Sequence, residues 1–161
     1  MPPITALLHT SNDALRLGRA LETLLPCAEL LIVDHGSTDA TLRVARAYGA
    51  RLLGADGLAA AKHYLERAAS DWIFCLDPSE SVTERLQTTL FEWGSLPAGS
   101  IAADAAFSFS VREQVDHDWR ELAEHQTRLV PRSWSLWDGL LPSNDRSSTA
   151  LEGSLLRIGF P

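Results

Sequence analysis

An α/β fold with a mostly parallel sheet and flanking helices is predicted by residues 1–93. Four short apolar runs alternate there with segments of helical periodicity, which is the pattern of a doubly wound sheet. Two of these runs end at an acid, Asp34 and Asp77. The carboxyl ends of parallel strands meet at one edge, where open α/β sheets bind ligands. We therefore expect both acids at one binding edge.

The segment from Glu29 to Asp39 is the clearest example of this pattern. A buried strand stops at Asp34, and Gly36 with small polar neighbours forms a turn before a helical pattern begins. Ser37 or Thr38 is predicted to cap that helix, with Asp39 in its first turn. The alternative role for Asp34 is purely structural, as the residue that caps the turn.

The other elements of this half follow from their periodicity. The first strand is predicted at residues 4–9, and a helix from Ala14 to Pro26 has an apolar face that includes Leu25. The second helix has an apolar stripe that ends at Tyr48, before Gly49. Further predictions are a strand at 50–53, a loop at 54–57, a helix at 58–69, a strand at 72–76 and a helix at 82–93.

The second half has a weaker pattern. After a linker at 96–104, residues 106–112 alternate as a strand with Phe107, Phe109 and Val111 on one face. Residues 115–124 are predicted as a short helix or loop, 127–130 as a strand, 141–149 as an exposed loop and 151–160 as a final strand. The apolar segment 134–141 suggests a surface that a homodimer would cover.

Length and charge limit the class of protein. The chain has 161 residues, enough for a single domain, and a net charge of −7 from 14 basic and 21 acidic residues. No basic cluster is present, which argues against a nucleic-acid partner. No apolar run has membrane-spanning length, and the N-terminus lacks the features of a signal peptide, so we expect a cytoplasmic location without a transmembrane segment.

Three motifs resemble those of family 2 glycosyltransferases. They are Thr10-Ser11-Asn12-Asp13 after the first strand, the segment from Val33 to Asp39, and the segment from Ala68 to Glu80. The resemblance implies the GT-A fold, in which one Rossmann-like sheet binds a nucleotide-diphosphate sugar. It also implies a single domain, with residues 1–95 as the nucleotide-binding half and 104–161 as a reduced acceptor-side half.

The branch that the chain most resembles adds sugars to lipopolysaccharide cores and related glycans. The resemblance implies transfer to a glycan or lipid-linked acceptor by direct displacement, with inversion of the anomeric centre. It implies Mg²⁺ or Mn²⁺ as the cofactor, with Asp77 and Glu80 as candidate ligands. The residues implied for nucleotide-sugar binding are Thr10, Asn12, Asp34, His35, Gly36, Lys62 and Asp77.

The chain departs from the family pattern in the residues that carry the chemistry. The usual Asp-x-Asp is Asp77-Pro78-Ser79 here, and serine is a poor metal ligand beside a carboxylate. No catalytic base is evident after Gly139, although Asp138 and Asp145 are nearby acids. Two alternatives to an active transferase therefore remain, a catalytically degenerate sugar-nucleotide-binding module and a structural or interaction protein with the same fold.

Overall fold

The computed structural model describes residues 2–57 and 61–159. One sheet of nine strands dominates this part of the chain, with a separate two-stranded hairpin beside it. The strands are β1 Ile4–Thr10, β2 Glu29–Asp34, β3 Arg51–Gly54, β4 Trp72–Cys75, β5 Glu80–Val82, β6 Phe107–Val115, β7 Asp118–Glu121, β8 Gln126–Pro131, β9 Trp137–Asp138, β10 Leu141–Pro142 and β11 Thr149–Arg157. The helices are α1 Ala14–Glu22, α2 Thr41–Ala47, α3 Ala61–Leu65 and α4 Glu84–Gly94.

The first half of the sheet is parallel, as predicted. Its strands lie in the order β3-β2-β1-β4, and each neighbouring pair runs in the same direction. Thr10 lies opposite Asp34, and Leu7 lies opposite Cys75. Strands β1, β2 and β4 are mostly buried and mostly apolar, as expected of strands covered on both faces. Because all four strands run in the same direction, their carboxyl ends lie at one edge of the sheet.

The second half adds strands in both directions, which makes the sheet mixed. Strand β8 runs antiparallel to β4 and β6, whereas β11 runs parallel to β6 and antiparallel to the short β5. The predicted strands at 106–112, 127–130 and 151–160 correspond to β6, β8 and β11, although β11 begins earlier, at Thr149, and ends at Arg157. The sequence thus predicted these strands but not their directions.

Apolar side chains pack on both faces of the sheet. One face is covered by α1 and α4, where Trp93 contacts Trp72 at 5.1 Å and Phe107 at 5.6 Å between ring centroids. The other face is covered by α3 and the segment around Trp134. Each large side chain buried there contributes about 1.5–3 kcal/mol.

Several local predictions were wrong. Helix α1 ends at Glu22, so Leu25 lies beyond it and is 70% exposed, and Tyr48 after α2 is 41% exposed. Helix α2 begins at Thr41 with Ala40 at its N-cap, and neither Ser37 nor Thr38 caps it. Short-range polar contacts hold the preceding turn instead, in a conformation that helical periodicity does not reveal.

Four strands were not predicted as strands: β5, β7 and the two short strands β9 and β10. Residues 115–124, expected as a helix or loop, contain β7, which forms a hairpin with β6. Residues 80–82 form β5, so α4 begins at Glu84 behind Thr83, whose hydroxyl accepts a hydrogen bond from the Leu86 amide. The start of the predicted helix at 58–69 lies outside the described residues, and its described part is helical only as α3, since residues 66–69 are not helical.

Two further observations concern cysteines and membranes. Cys27 and Cys75 are both free thiols, of which Cys75 is buried and Cys27 is partly exposed. Over residues 2–57 and 61–159, none of the helices is long and apolar enough to cross a bilayer.

The segment 134–141, which was expected to form an apolar surface, is only partly exposed. Trp134 is buried there, and the exposed apolar side chains are Leu136 and Leu140.

Candidate functional site

The carboxyl edge of the parallel strands brings together residues from three of the predicted motifs. Thr10 ends β1 and donates its hydroxyl proton to Asp34 Oδ1 at the end of β2, over 2.8 Å. The backbone amide of His35 donates to the Thr10 carbonyl at 2.8 Å, which continues the pairing of the two strands past their ends. Asp77 follows β4 by two residues, on the other side of β1.

Asp34 is held as a carboxylate. The Ser37 hydroxyl donates to Oδ1 at 2.6 Å, and the Ser37 amide donates to Oδ2 at 2.9 Å. Burial raises the pKa of Asp34, but these bonds, the Thr10 hydroxyl and the charge of His35 together hold the pKa below its usual range. Oδ1 has two donors and Oδ2 has one. A ligand hydroxyl can therefore still donate to Oδ2.

Asn12 connects the loop after β1 to the loop after β2. Its backbone has a φ of 52°, and its side-chain oxygen accepts bonds from the amides of Thr38 at 2.8 Å and Asp39 at 3.3 Å. Its own amide donates to the Ser37 hydroxyl at 2.9 Å. Asn12 thus organises the turn that holds Asp34. Gly36 in that turn has a φ of 75°, with no atom within 4 Å of the place a Cβ would take.

A histidine pair lies beside Asp34, and half of it was missed in the sequence. His9 Nδ1 and His35 Nε2 are 2.9 Å apart, and the Tyr64 ring of α3 contacts His9 at 5.3 Å between centroids. Burial and the neighbouring His35 lower the pKa of His9 from 6.5 to about 4. The available signal was alternation along β1. His9 is two residues after Leu7, and His35 is two residues after Val33 and just past the end of β2. Since Leu7 and Val33 pack on the same face of the sheet, alternation places both histidines on that face.

Asp77 lies in a turn that its own side chain stabilises. Oδ2 accepts bonds from the amide and hydroxyl of Ser79, the residue that replaces the second acid of Asp-x-Asp. No described residue donates to Oδ1, and the side chain is partly exposed. Asp77 therefore offers one carboxylate oxygen to a ligand.

Glu80 does not fit the predicted role of metal ligand. Its side chain is 0% exposed, and Arg128 binds both carboxylate oxygens, at 2.6 Å and 3.0 Å. Arg157 adds a bond of 3.0 Å, and the Asp77 amide donates to Oε1 at 2.9 Å. Burial raises the pKa of Glu80, but the arginine charges and these bonds hold it below the usual range. A carboxylate with these partners is not available to a cation.

The reason for this error is the direction of β5. A strand begins at Glu80, so its side chain points into the protein between β8 and β11 rather than toward the carboxyl edge. Over the described residues, no group of three His, Cys, Asp or Glu side chains could hold a metal ion. The structure therefore leaves Asp77 as the single predicted metal ligand that is accessible.

Lys62 lies on α3 and is exposed. The Tyr64 ring on the same helix contacts His9, so α3 packs against the end of β1. No described contact joins Lys62 to Asp34 or Asp77, and its phosphate role stays a prediction.

Comparisons with known proteins agree with the resemblance. No family model matches the chain. The lipopolysaccharide core biosynthesis glycosyltransferase LpsC of Rhizobium meliloti is 33% identical over 98 residues, which cover 56% of this chain and 36% of LpsC. An uncharacterised glycosyltransferase of Rickettsia felis is 32% identical over 91 residues, covering 54% of this chain and 32% of that protein. The chain thus spans about a third of the length of these relatives.

Solved structures show the same fold. Glucosyl-3-phosphoglycerate synthase from Mycobacterium tuberculosis, in complex with Mn²⁺, UDP and glucosyl-3-phosphoglycerate, matches with a TM-score of 0.52 and 18% identity, over 69% of this chain and 44% of that one. S. aureus TarS (residues 1–349) matches with a TM-score of 0.53 and 15% identity, over 69% and 36%. The chain is thus similar in sequence to glycosyltransferases over about half of its length, and its fold is the GT-A fold.

Proposed function

We propose that the carboxyl edge binds a nucleotide-diphosphate sugar and that the sugar is transferred to a glycan or lipid-linked acceptor. The observation that carries this proposal is the Thr10–Asp34 hydrogen bond across two strand ends, with Asp77 after the next strand along. Open α/β sheets bind ligands at such an edge. The names of the relatives support the reaction class.

The nucleoside would occupy the side of Asp34. Asp34 is ionised and keeps one acceptor position on Oδ2, which suits a ribose hydroxyl. Asn12 and His35 border the same turn, and the space beside Gly36 leaves its backbone open to a ligand. Lys62 is the proposed contact to the phosphates, because an ammonium group binds phosphate oxygens as a point charge.

A divalent cation would depend on Asp77. Mg²⁺ often has one or two protein carboxylates and takes its other ligands from substrate phosphates and water. Asp77 Oδ1 meets that requirement, and Glu80 does not. A cation held this way would neutralise charge on the leaving nucleotide, and it would bind weakly until the nucleotide supplies its own oxygens.

A second candidate function is nucleotide-sugar binding without turnover. One reason is that Ser79 replaces the second acid of Asp-x-Asp. The other is the lowered pKa of Asp145, one of the two acids near the expected position of the catalytic base. The amide and hydroxyl of Ser147 bind the Asp145 carboxylate at 2.9 Å and 2.8 Å and hold its pKa below the usual range. A general base works best with a pKa near the operating pH, so Asp145 is poorly suited.

Calorimetric and thermal-shift titrations with UDP, GDP and their sugars, with and without Mn²⁺, distinguish these functions. Calorimetry measures the affinity directly. The thermal shift reports the same binding, because a ligand that binds the folded state raises its apparent stability. Binding strengthened by Mn²⁺, together with sugar transfer to a glycan acceptor, supports the transferase. Binding without metal dependence or transfer supports the binding module.

The test variant is Asp34→Asn, and its control is Asp118→Asn. Asp118 is an exposed acid on β7, so its substitution removes the same charge away from the proposed site. Loss of binding in Asp34→Asn alone supports the assignment. The absence of any shift with all nucleotides at millimolar concentration contradicts both functions.

A further inference from the structure

A buried ion pair adjoins the Asp77 turn. Glu80 at the start of β5 and Arg128 on β8 are 0% and 2% exposed, and two hydrogen bonds of 2.6 Å and 3.0 Å join their charged groups. A planar guanidinium that binds both oxygens of a carboxylate fixes the orientation of both groups. The pair therefore ties the residue that ends the turn to a central strand of the sheet.

Both members of the pair also bind the backbone that leads into the turn. The Asp77 amide donates to Glu80 Oε1 at 2.9 Å, and Arg128 Nη1 donates to the Cys75 carbonyl at 3.3 Å. These two backbone groups flank Leu76, where the chain leaves β4. Two buried side chains thus set the path of the chain from the end of β4 to Asp77.

The turn transmits this position to the Asp77 carboxylate. The Glu80 amide donates to the Asp77 carbonyl at 2.9 Å and closes the turn. The Ser79 amide donates to Asp77 Oδ2 at 2.8 Å, so the carboxylate is fixed to the backbone of its own turn. The place of Oδ1, the oxygen without a described donor, therefore follows from the place of that backbone.

We propose that Glu80 and Arg128 are positioning residues that hold the Asp77 turn in place for a divalent cation. The inference rests on the proposed function, in which Asp77 is the accessible metal ligand, and it adds the residues on which that ligand depends. A cation with one protein carboxylate takes its other ligands from the nucleotide and water. No second acid compensates for a displaced Asp77 among the described residues. Neither Glu80 nor Arg128 touches the cation.

Arg157 on β11 provides a matched control within the same cluster. It donates to Glu80 Oε2 from Nη2 at 3.0 Å and from Nε at 3.3 Å, and its side chain is 30% exposed. Among the described residues, its side chain makes no hydrogen bond to the backbone of the turn. Arg157→Met therefore removes a charged partner of Glu80 and leaves the bonds to the Asp77 amide and the Cys75 carbonyl in place.

The first measurement is the amide proton resonance of Asp77 in the metal-free protein, by NMR. Glu80→Gln keeps the size of the side chain but removes its charge, and its amide group places donors against Arg128. A bond to a charged carboxylate is stronger than one to a neutral amide, so the Asp77 resonance should move upfield in Glu80→Gln. It should stay in place in Arg157→Met.

The second measurement is UDP affinity with and without Mn²⁺, by calorimetry. In Glu80→Gln the gain from Mn²⁺ should fall below about twofold, while metal-free affinity stays within about threefold of that of the intact protein. Arg157→Met should keep the full gain. General loss of structure would lower both affinities together, so a loss confined to the metal-dependent part identifies a positioning role.

The outcomes separate this inference from the proposed function. A retained Mn²⁺ gain in Glu80→Gln, or an equal loss in Arg157→Met, overturns the inference and leaves the proposed function in place. UDP binding by the intact protein without any Mn²⁺ gain overturns the metal role of Asp77 and the inference together. Absence of UDP binding by the intact, folded protein contradicts the proposed function as well.

A second variant decides if Glu80→Gln does not fold. Arg128→Lys keeps the charge, but one ammonium group cannot reproduce the fork that binds both Glu80 oxygens and the Cys75 carbonyl. It should show the same selective loss of the Mn²⁺ gain. A gain equal to that of the intact protein overturns the inference.

Discussion

The two acidic turns at the carboxyl edge are built differently. At the Asp34 turn, side chains from the loops after β1 and β2 converge on one carboxylate and hold it ionised. At the Asp77 turn, Ser79 binds one carboxylate oxygen, and the nearest other acid, Glu80, is buried with two arginines. The turn proposed for the nucleoside is complete, whereas the turn proposed for the metal has one available carboxylate.

The difference between the two turns matters because nucleotide binding and catalysis need different groups. A nucleoside is recognised by hydrogen bonds and shape, which the Asp34 turn can supply from its own residues. Neutralising a leaving diphosphate needs positive charge, which the Asp77 turn can gather only with help from the substrate. If the proposed site is correct, this edge is better suited to binding a nucleotide than to catalysing its release.

The largest expected effect is on stability and tests the role of Glu80 at the second turn. Glu80→Gln leaves Arg128, which is 2% exposed, and Arg157 without their carboxylate. Breaking a buried pair from one side costs about 3–5 kcal/mol, to be measured by denaturant unfolding. Glu152→Gln, which removes an exposed partner of Arg85, should cost less than about 1 kcal/mol. Equal effects would mean that Glu80 is not structurally engaged.

The next effect is a pH dependence that arises on the Asp34 side. The pKa of His9 is about 4 in the folded protein and near 6.5 when unfolded, so the unfolded state binds more protons between these values. Stability is therefore full above about pH 6.5 and falls by roughly 2–3 kcal/mol as the pH drops toward 4. His9→Phe should flatten this part of the curve. An unchanged slope in the variant would place the titrating group elsewhere.

Nucleotide affinity should depend more on Asp34 than on Asp77 in the absence of metal. Asp34→Asn keeps the shape of the turn but weakens the hydrogen bond to a ligand hydroxyl, which should lower UDP affinity by roughly 10- to 100-fold. Asp77→Asn should change metal-free affinity by less than about threefold and should abolish any gain from Mn²⁺. Calorimetry measures both variants. A larger metal-free loss from Asp77→Asn would reverse the proposed division between the turns.

The smallest expected effect is a gain at the Asp77 turn. Ser79→Asp restores the family's second acid and frees Asp77 Oδ2 from the serine hydroxyl. Mn²⁺ should then increase UDP affinity by about 3- to 10-fold more than it does in the unchanged protein. Ser79→Asn has a similar size without the charge and serves as the control. If both variants respond alike, charge at this position does not limit the metal site.

The sequence predicted the parallel half of the fold because its strands are apolar runs that stop at polar turns. It also predicted Asp34 and Asp77 at one edge, since strand ends in a parallel sheet meet there. It could not show the order and direction of the later strands. Those depend on contacts between residues far apart in the chain, such as Phe74 opposite Leu129.

Two site residues show where the sequence was insufficient. Glu80 is one position past Ser79, and whether its side chain faces the edge or the core depends on β5, a strand of three residues with no clear pattern. His9 ends an apolar run and was grouped with it, although alternation places it beside His35. In both cases the missing information was the direction of one side chain at a strand end.

The proposed nucleotide site at the Asp34 turn is best tested by mapping UDP binding with backbone amide chemical shifts. We expect the largest changes on residues 10–13 and 34–39, with smaller changes at 77–79. In Asp34→Asn these changes should require far higher UDP concentrations. Saturable changes centred elsewhere, such as on the groove between Leu24 and Tyr48 at the opposite edge, would contradict the assignment of the nucleotide site to the Asp34 turn.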